Sequence, residues 1–170
     1  MAPVKGIRPK VGDVFEVPIN ESQVGYGQVA AKRLQSYLMA IFKTAYQRGQ
    51  RPELSRITAD DIAFLGESLD AKIWNGDWVI VGNLPPDRSR IPLPTYKVTV
   101  GDINSWFVES YDGSRRRPAT PNELNVLELR TVVAPIRLEK ALQALHGARP
   151  WEPTFRQLEY DRVKRSGEIP

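Results

Sequence analysis

Every apolar run in this sequence is short and is cut by Pro, Gly or a charged side chain, so no segment approaches the roughly 20 consecutive apolar residues that cross a bilayer. A chain punctuated in this way has to build its core from short strands and short helices, each burying one face. Its 170 residues are enough for one ordinary domain with a core of its own. Cysteine is absent, which removes disulfides and thiolate metal sites and leaves apolar burial to hold the fold. The composition, 41% hydrophobic and 26% charged, is that of a globular chain and excludes a disordered one.

Gly12-Asp13 introduces Val14 to Ile19, where Phe15, Val17 and Ile19 alternate with Glu16 and Pro18 as in a half-buried strand, and Pro18 predicts a sheet edge. A polar turn from Asn20 to Gln23 leads through Gly25-Tyr26-Gly27 into Gln28 to Ala31, which reads as the second arm of a hairpin. Tyr37 to Tyr46 is a candidate third strand, and Gln47 to Arg56 a polar loop. Thr58, Asp60 and Asp61 stand ahead of Ile62, Phe64 and Leu65 and before Gly66, the order of an N-cap, an acidic first turn and a C-terminal glycine, so a short helix is predicted there. Asn75-Gly76, between Ala71-Trp74 and Asp77-Val81, predicts a two-residue type I′ hairpin. In that register Trp78 shares a buried face with Ala71, Ile73 and Ile80, while Lys72, Trp74, Asp77 and Val79 face solvent or a partner.

Asn83 to Pro94 is a Pro- and Arg-rich excursion expected outside the core, followed by strands at Thr95 to Val100 and Trp106 to Tyr111. Asp112-Gly113 is a turn, and Ser114 to Pro118, with Arg115, Arg116 and Arg117, reads as an exposed basic loop. Thr120-Pro121-Asn122-Glu123 is a capping box with proline at the first helical position. After Pro135, the spacing of Leu138, Ala141, Leu142 and Leu145 predicts an amphipathic helix ending at Gly147. The expected architecture is α+β: a bent antiparallel sheet or incomplete small barrel, with two or three helices packed on one side, over residues 1–147. Residues 148–170 are expected as a C-terminal extension.

Little in the sequence supports catalysis. A lone histidine, His146, suits a helix C-terminus, where its partial positive charge meets the dipole, and with no cysteine it makes a poor start for a zinc site. Asp60 with Asp61, and Glu67 with Asp70, are the nearest approach to paired carboxylates, and the first pair is explained by helix placement. Gly25-Tyr26-Gly27 lacks the third glycine and the strand-to-helix setting of a phosphate loop. No enzyme and no cofactor are expected. Met1 to Val11 lacks the apolar run of a secretory signal, and with the absence of cysteine this favours the cytoplasm.

Gly12-Asp13-Val14-Phe15-Glu16-Val17-Pro18-Ile19 followed by Tyr26-Gly27-Gln28-Val29 resembles the opening of the immunity protein 26 family. Gly76-Asp77-Trp78-Val79-Ile80-Val81-Gly82, then Asp112-Gly113, then Ala119-Thr120-Pro121-Asn122-Glu123, look like later landmarks of that family, so the resemblance spans roughly Val11 to Gly147. It implies an immunity protein of a bacterial polymorphic-toxin system, which binds a cognate protein toxin and blocks it, with no catalytic residue of its own. The partner-facing candidates are Trp74, Asp77, Lys72, Arg115, Arg116 and Arg117. An inhibitor that imitates nucleic acid in a basic nuclease cleft should be strongly acidic, whereas the formal charge here is +4. That points to a toxin of acidic or mixed charge, or to binding outside a nuclease active site.

The alternative is a small-barrel nucleic-acid module or a ribonuclease, because the Gly-Asp-led first strand also resembles the start of the growth-inhibiting ribonuclease toxins of toxin–antitoxin pairs. That likeness ends early. Twenty-four basic residues are set against 20 acidic ones, and the arginine cluster is not interleaved with aromatics, so tight nucleic-acid binding is not expected.

Overall fold

The alternation after Gly12 forms strand β1, Asp13–Pro18, in the computed structural model, which describes residues 4–170. Asn20 closes the turn that follows: its carboxamide oxygen accepts from the Ser22 and Gln23 amides at 3.0 and 2.8 Å. The chain returns antiparallel as β2, Gln23–Arg33, with Phe15 opposite Gly27. A Cβ on Gly27 would lie 2.5 Å from the Phe15 ring, so glycine there lets the aromatic lie flat on the sheet.

β2 turns through Leu34-Gln35 into β3, Ser36–Phe42, every residue of which is buried. A two-residue strand, β4 (Tyr46–Gln47), pairs with the start of β2. Next come a short helix, α1 (Leu54–Thr58), and then β5, Ile62–Ser68, paired antiparallel with β3. The helix predicted at Thr58 to Gly66 is thus a central strand. Thr58 ends the preceding helix, with its hydroxyl donating to the Leu54 carbonyl at 3.0 Å. Because both faces of β5 are covered, its side chains do not alternate, and a short continuous apolar run looks alike in a helix and in a buried strand.

Ala71–Trp74 is a single helical turn, α2, where a hairpin arm was expected. Gly76, with φ +80°, ends that turn: its amide donates to the Ile73 carbonyl at 3.0 Å and the Asp77 amide to the Lys72 carbonyl at 2.9 Å. Asn-Gly therefore serves a helix cap, which needs the same positive φ as a type I′ turn. β6, Val79–Asn83, pairs with β1 and closes that side of the sheet. Pro18 accordingly lies on a strand flanked on both sides, but β6 reaches only Asp13 to Glu16, leaving the Pro18 nitrogen outside its ladder.

A second, three-stranded sheet follows: β7 (Tyr96–Val100), β8 (Asp102–Glu109) and β9 (Arg116–Pro118). The expected capping box starts α3, Pro121–Val126, where the Glu123 amide donates to Thr120 Oγ1 at 3.3 Å and the two side chains meet at 2.9 Å. Val132–Val133 forms β10, parallel to β5, and gives the open main sheet the order β10-β5-β3-β2-β1-β6. Helix α4, Pro135–Leu145, a 3-10 helix at Pro153–Leu158, and α5, Tyr160–Gly167, complete the chain.

The α+β class stands, with the central strands of the open main sheet buried on both faces. Tyr37, Met39 and Ile41 of β3 point into one cluster, with Phe15, Ile73, Trp78, Leu138, Leu142, Phe155 and Leu158. Leu38, Ala40 and Phe42 point into the other, with Ile57, Ile91, Tyr96 and Tyr111. The helical layer expected on one face is α4, joined by α2 and the 3-10 helix, and α1, α5 and the small sheet cover the opposite face. Residues 148–170 contribute Phe155 and Leu158 to the first cluster and Tyr160 and Val163 to the edge of the second. The excursion after Asn83 also reaches the core through Ile91, pinned by Arg90, whose guanidinium donates to the Thr58 carbonyl at 2.6 Å.

Candidate functional site

Lys72, Trp74 and Asp77 come together on α2 and its cap. Ile73 and Trp78 anchor this unit from beneath. Trp78 is 1% exposed and stacks on Phe15 at 5.0 Å with the rings 4° from parallel. Its indole N–H donates to Glu139 Oε2 on α4 at 2.8 Å, and Lys72 Nζ stands 3.4 Å from the same oxygen and 3.6 Å from Asp77 Oδ2. Lys72 and Asp77 thus hold the cap in place as well as facing outward. Trp74 is 42% exposed, the division between the two tryptophans that the sequence suggested, reached through a helical turn rather than a strand register. The Arg8 guanidinium lies 5.3 Å from its ring centroid, and the Gly6 amide donates to its carbonyl at 2.8 Å, so the segment before β1 is laid across it.

Arg116 and Arg117 belong to β9 of the small sheet and Arg115 to the loop just before it, over the opposite face of the main sheet from α2. The expected basic loop is mostly strand, and two of its arginines are locally neutralised. Arg116 Nη2 is 2.6 Å from Glu109, and Arg117 Nη2 is 2.9 Å from Glu123, with further hydrogen bonds to the Pro170 carbonyl. The sequence-derived candidates therefore divide between two places.

A buried ionic seam between the sheets was not visible in the sequence. The Glu67 side chain is sealed from solvent; Ser36 donates to its Oε1 at 2.5 Å, while the Tyr96 hydroxyl and Arg130 Nη1 each reach Oε2 at 3.4 Å. Arg130 Nη2 also bonds Glu109 Oε1 at 3.1 Å, and its guanidinium lies 4.2 Å from the Tyr96 ring centroid. Burial, and next the Glu67 charge, push the Tyr96 hydroxyl well above the ordinary tyrosine range, so it is a fixed donor. Burial works against ionisation of Glu109, but the hydrogen bonds from Arg116 and Arg130 outweigh it and hold the carboxyl below its usual range. Both Glu67 oxygens are occupied, so the arrangement couples the two sheets rather than offering a free base. Such a seam joins residues 36, 67, 96, 109 and 130, a spacing that no local pattern announces.

His146 sits at the end of α4, its Nε2 2.9 Å from the Lys43 carbonyl. Asp60 follows α1 instead of opening a helix; it accepts from the Thr44 amide at 2.7 Å and the Asp61 amide at 2.8 Å. Among the described residues, no group of three or more His, Asp or Glu side chains is gathered as metal ligands would be. No helix of the described residues is long and apolar enough to cross a membrane.

These observations define an α+β protein whose outward chemistry is a half-exposed tryptophan on a braced cap, with the arginines of the opposite face largely paired to carboxylates. The model of the immunity protein 26 family matches residues 10–107, more than half of the chain, and the chain belongs to that family. The matched stretch runs from β1 into β8 and contains the landmarks at Gly12–Ile19, Tyr26–Val29 and Gly76–Gly82; Asp112-Gly113 and Ala119–Glu123 lie beyond it. No curated protein and no solved structure matches the chain.

Proposed function

We propose that this chain is an immunity protein that binds and neutralises a cognate bacterial toxin domain of a polymorphic-toxin system, acting in the cytoplasm by protein–protein contact rather than by catalysis. Its membership of the immunity protein 26 family is the observation that carries the reading. The local geometry around Trp74 supports it further. A tryptophan held on a rigid cap, with its flanking Lys72 and Asp77 braced through Glu139, offers a large apolar anchor at little cost in side-chain entropy.

Mixing the purified chain with the purified toxin domain encoded beside it tests the reading. Co-elution as one complex in size-exclusion chromatography is expected, and a Trp74→Ala chain should bind at least about 2 kcal/mol more weakly. Separate elution of the two wild-type proteins at micromolar concentration would refute the proposal.

A further inference from the structure

A groove of about 560 Å³ opens where the tip of the β2–β3 hairpin meets the excursion after β6 and the turn after β8. Its rim carries exposed apolar side chains, Leu34, Leu93 and Val11, beside three cations, Lys32, Arg33 and Arg88. Among the described residues none of these cations is in a salt bridge, in contrast to Arg116, Arg117 and Arg130 of the neighbouring sheet. Asp112 is the carboxylate on the rim; its Oδ1 accepts from the Ser110 and Ser114 hydroxyls at 2.7 Å each, and it leaves three cations set against one anion there.

Two features of the groove are costly for folding. Leu34 has φ +52°, and among the described residues it is the non-glycine residue in the left-handed region. It occupies the first position of a two-residue hairpin turn, where glycine is the low-strain choice, and is 75% exposed, so packing does not repay the strain. Tyr111, 4% exposed, lines the groove floor, and its buried hydroxyl, like the nearby Arg33 Nε, has no hydrogen-bond partner among the described residues. Burial, then the Glu67 charge, push the Tyr111 hydroxyl up to about 12, which keeps it a donor at neutral pH.

We infer that this groove is a docking site for an acidic segment of the toxin domain, with an apolar side chain packed against Leu34 and Leu93 and carboxylates paired with Lys32, Arg33 and Arg88. The inference rests on the immunity reading and deepens it. Charge complementarity selects the occupant: a rim with three cations, none in a salt bridge among the described residues, against one carboxylate attracts acidic side chains, and the mild positive charge of the whole chain suits a partner that is not itself basic. A nucleic-acid strand is the poorer fit, because the accessible rim is aliphatic and offers no ring on which bases could stack.

Calorimetric titration of the full chain against the toxin domain encoded beside it, at low and physiological salt, tests the inference. Wild type should bind with an affinity that weakens as salt rises. Leu34→Gly should melt at or above the wild-type temperature, since it relieves the strain, yet bind at least tenfold more weakly. A Lys32→Gln/Arg88→Gln chain should lose at least tenfold and flatten the salt dependence; Lys32→Gln alone serves if losing the Arg88 bond to the Ala30 carbonyl impairs folding. Wild-type affinity in the folded Leu34→Gly and Lys32→Gln chains would overturn the groove as the dock while leaving toxin binding intact. Failure of wild type to bind would overturn both readings, and submicromolar binding of a labelled RNA that is abolished by Lys32→Gln/Arg88→Gln would assign the groove to nucleic acid instead.

Discussion

Trp78→Ala removes the side chain on which α2, β1 and α4 converge, and its cost follows from two terms. Emptying a fully buried tryptophan site costs about 3–5 kcal/mol, and here the stacked Phe15 face is also uncovered. Glu139 loses the indole N–H, a buried hydrogen bond whose absence costs about 1–3 kcal/mol; Lys72 at 3.4 Å remains, which places this at the low end. The sum is about 4–6 kcal/mol, comparable with the whole stability of a modest domain. Trp78→Phe keeps a ring against Phe15 and should lose mainly the hydrogen bond and part of the packing, about 1–3 kcal/mol. Trp74→Ala, which removes a partly solvated ring and the Arg8 contact, should cost about 1 kcal/mol or less. In urea, with a slope of about 2 kcal/mol/M, Trp78→Ala should move the midpoint down by about 2–3 M and Trp74→Ala by about 0.5 M. Equal shifts for the two alanine variants would refute the assignment of Trp78 to the packed centre and Trp74 to the surface.

Arg130→Ala strands the Glu67 carboxylate between the sheets and should destabilise by about 3–5 kcal/mol, measured by the same unfolding curves; a cost below about 1 kcal/mol would show that the seam is not sealed. Glu109 has a folded pKa below its unfolded value near 4.5, so its contribution is complete above that pH and is lost as pH falls through the depressed value; Glu109→Gln should remove this acid-side dependence, and an unchanged acid limb would contradict the pairing. Gly27→Ala forces a methyl group against the Phe15 ring and should cost about 1–3 kcal/mol by thermal or urea unfolding. Phe155→Ala should cost about 3–5 kcal/mol, and a chain ended at Gly147 should lose cooperative unfolding, because the 3-10 helix fills one core cluster.

Where local chemistry dictates local structure, the sequence was readable. The alternation of Phe15, Val17 and Ile19 and the Asn20 turn produce the first hairpin, and the Thr120 to Glu123 capping box starts α3 where expected. Ambiguity arose where one signal serves two structures. Asn75-Gly76 supplies a positive φ that ends α2 instead of turning a hairpin, and Ile62 to Leu65 carries no alternation because β5 is buried on both faces. The binding surface was legible only in part. A tryptophan beside charged residues on a short element marked Trp74, but Leu34-Gln35 lacks the Asn or Gly that announces a tight turn, so neither the strained leucine nor its groove had a local signature. The Glu67 to Arg130 seam needs the tertiary fold to bring residues 63 positions apart into contact.

Growth of bacteria co-expressing this chain with the active toxin domain encoded beside it addresses neutralisation itself, independently of what the toxin attacks. Induction of the toxin alone should arrest growth, and co-expression of the wild-type chain should restore it, with weaker rescue by a folded Trp74→Ala chain. Equal arrest with and without the chain, when both proteins are soluble and present in comparable amounts, would contradict the immunity function.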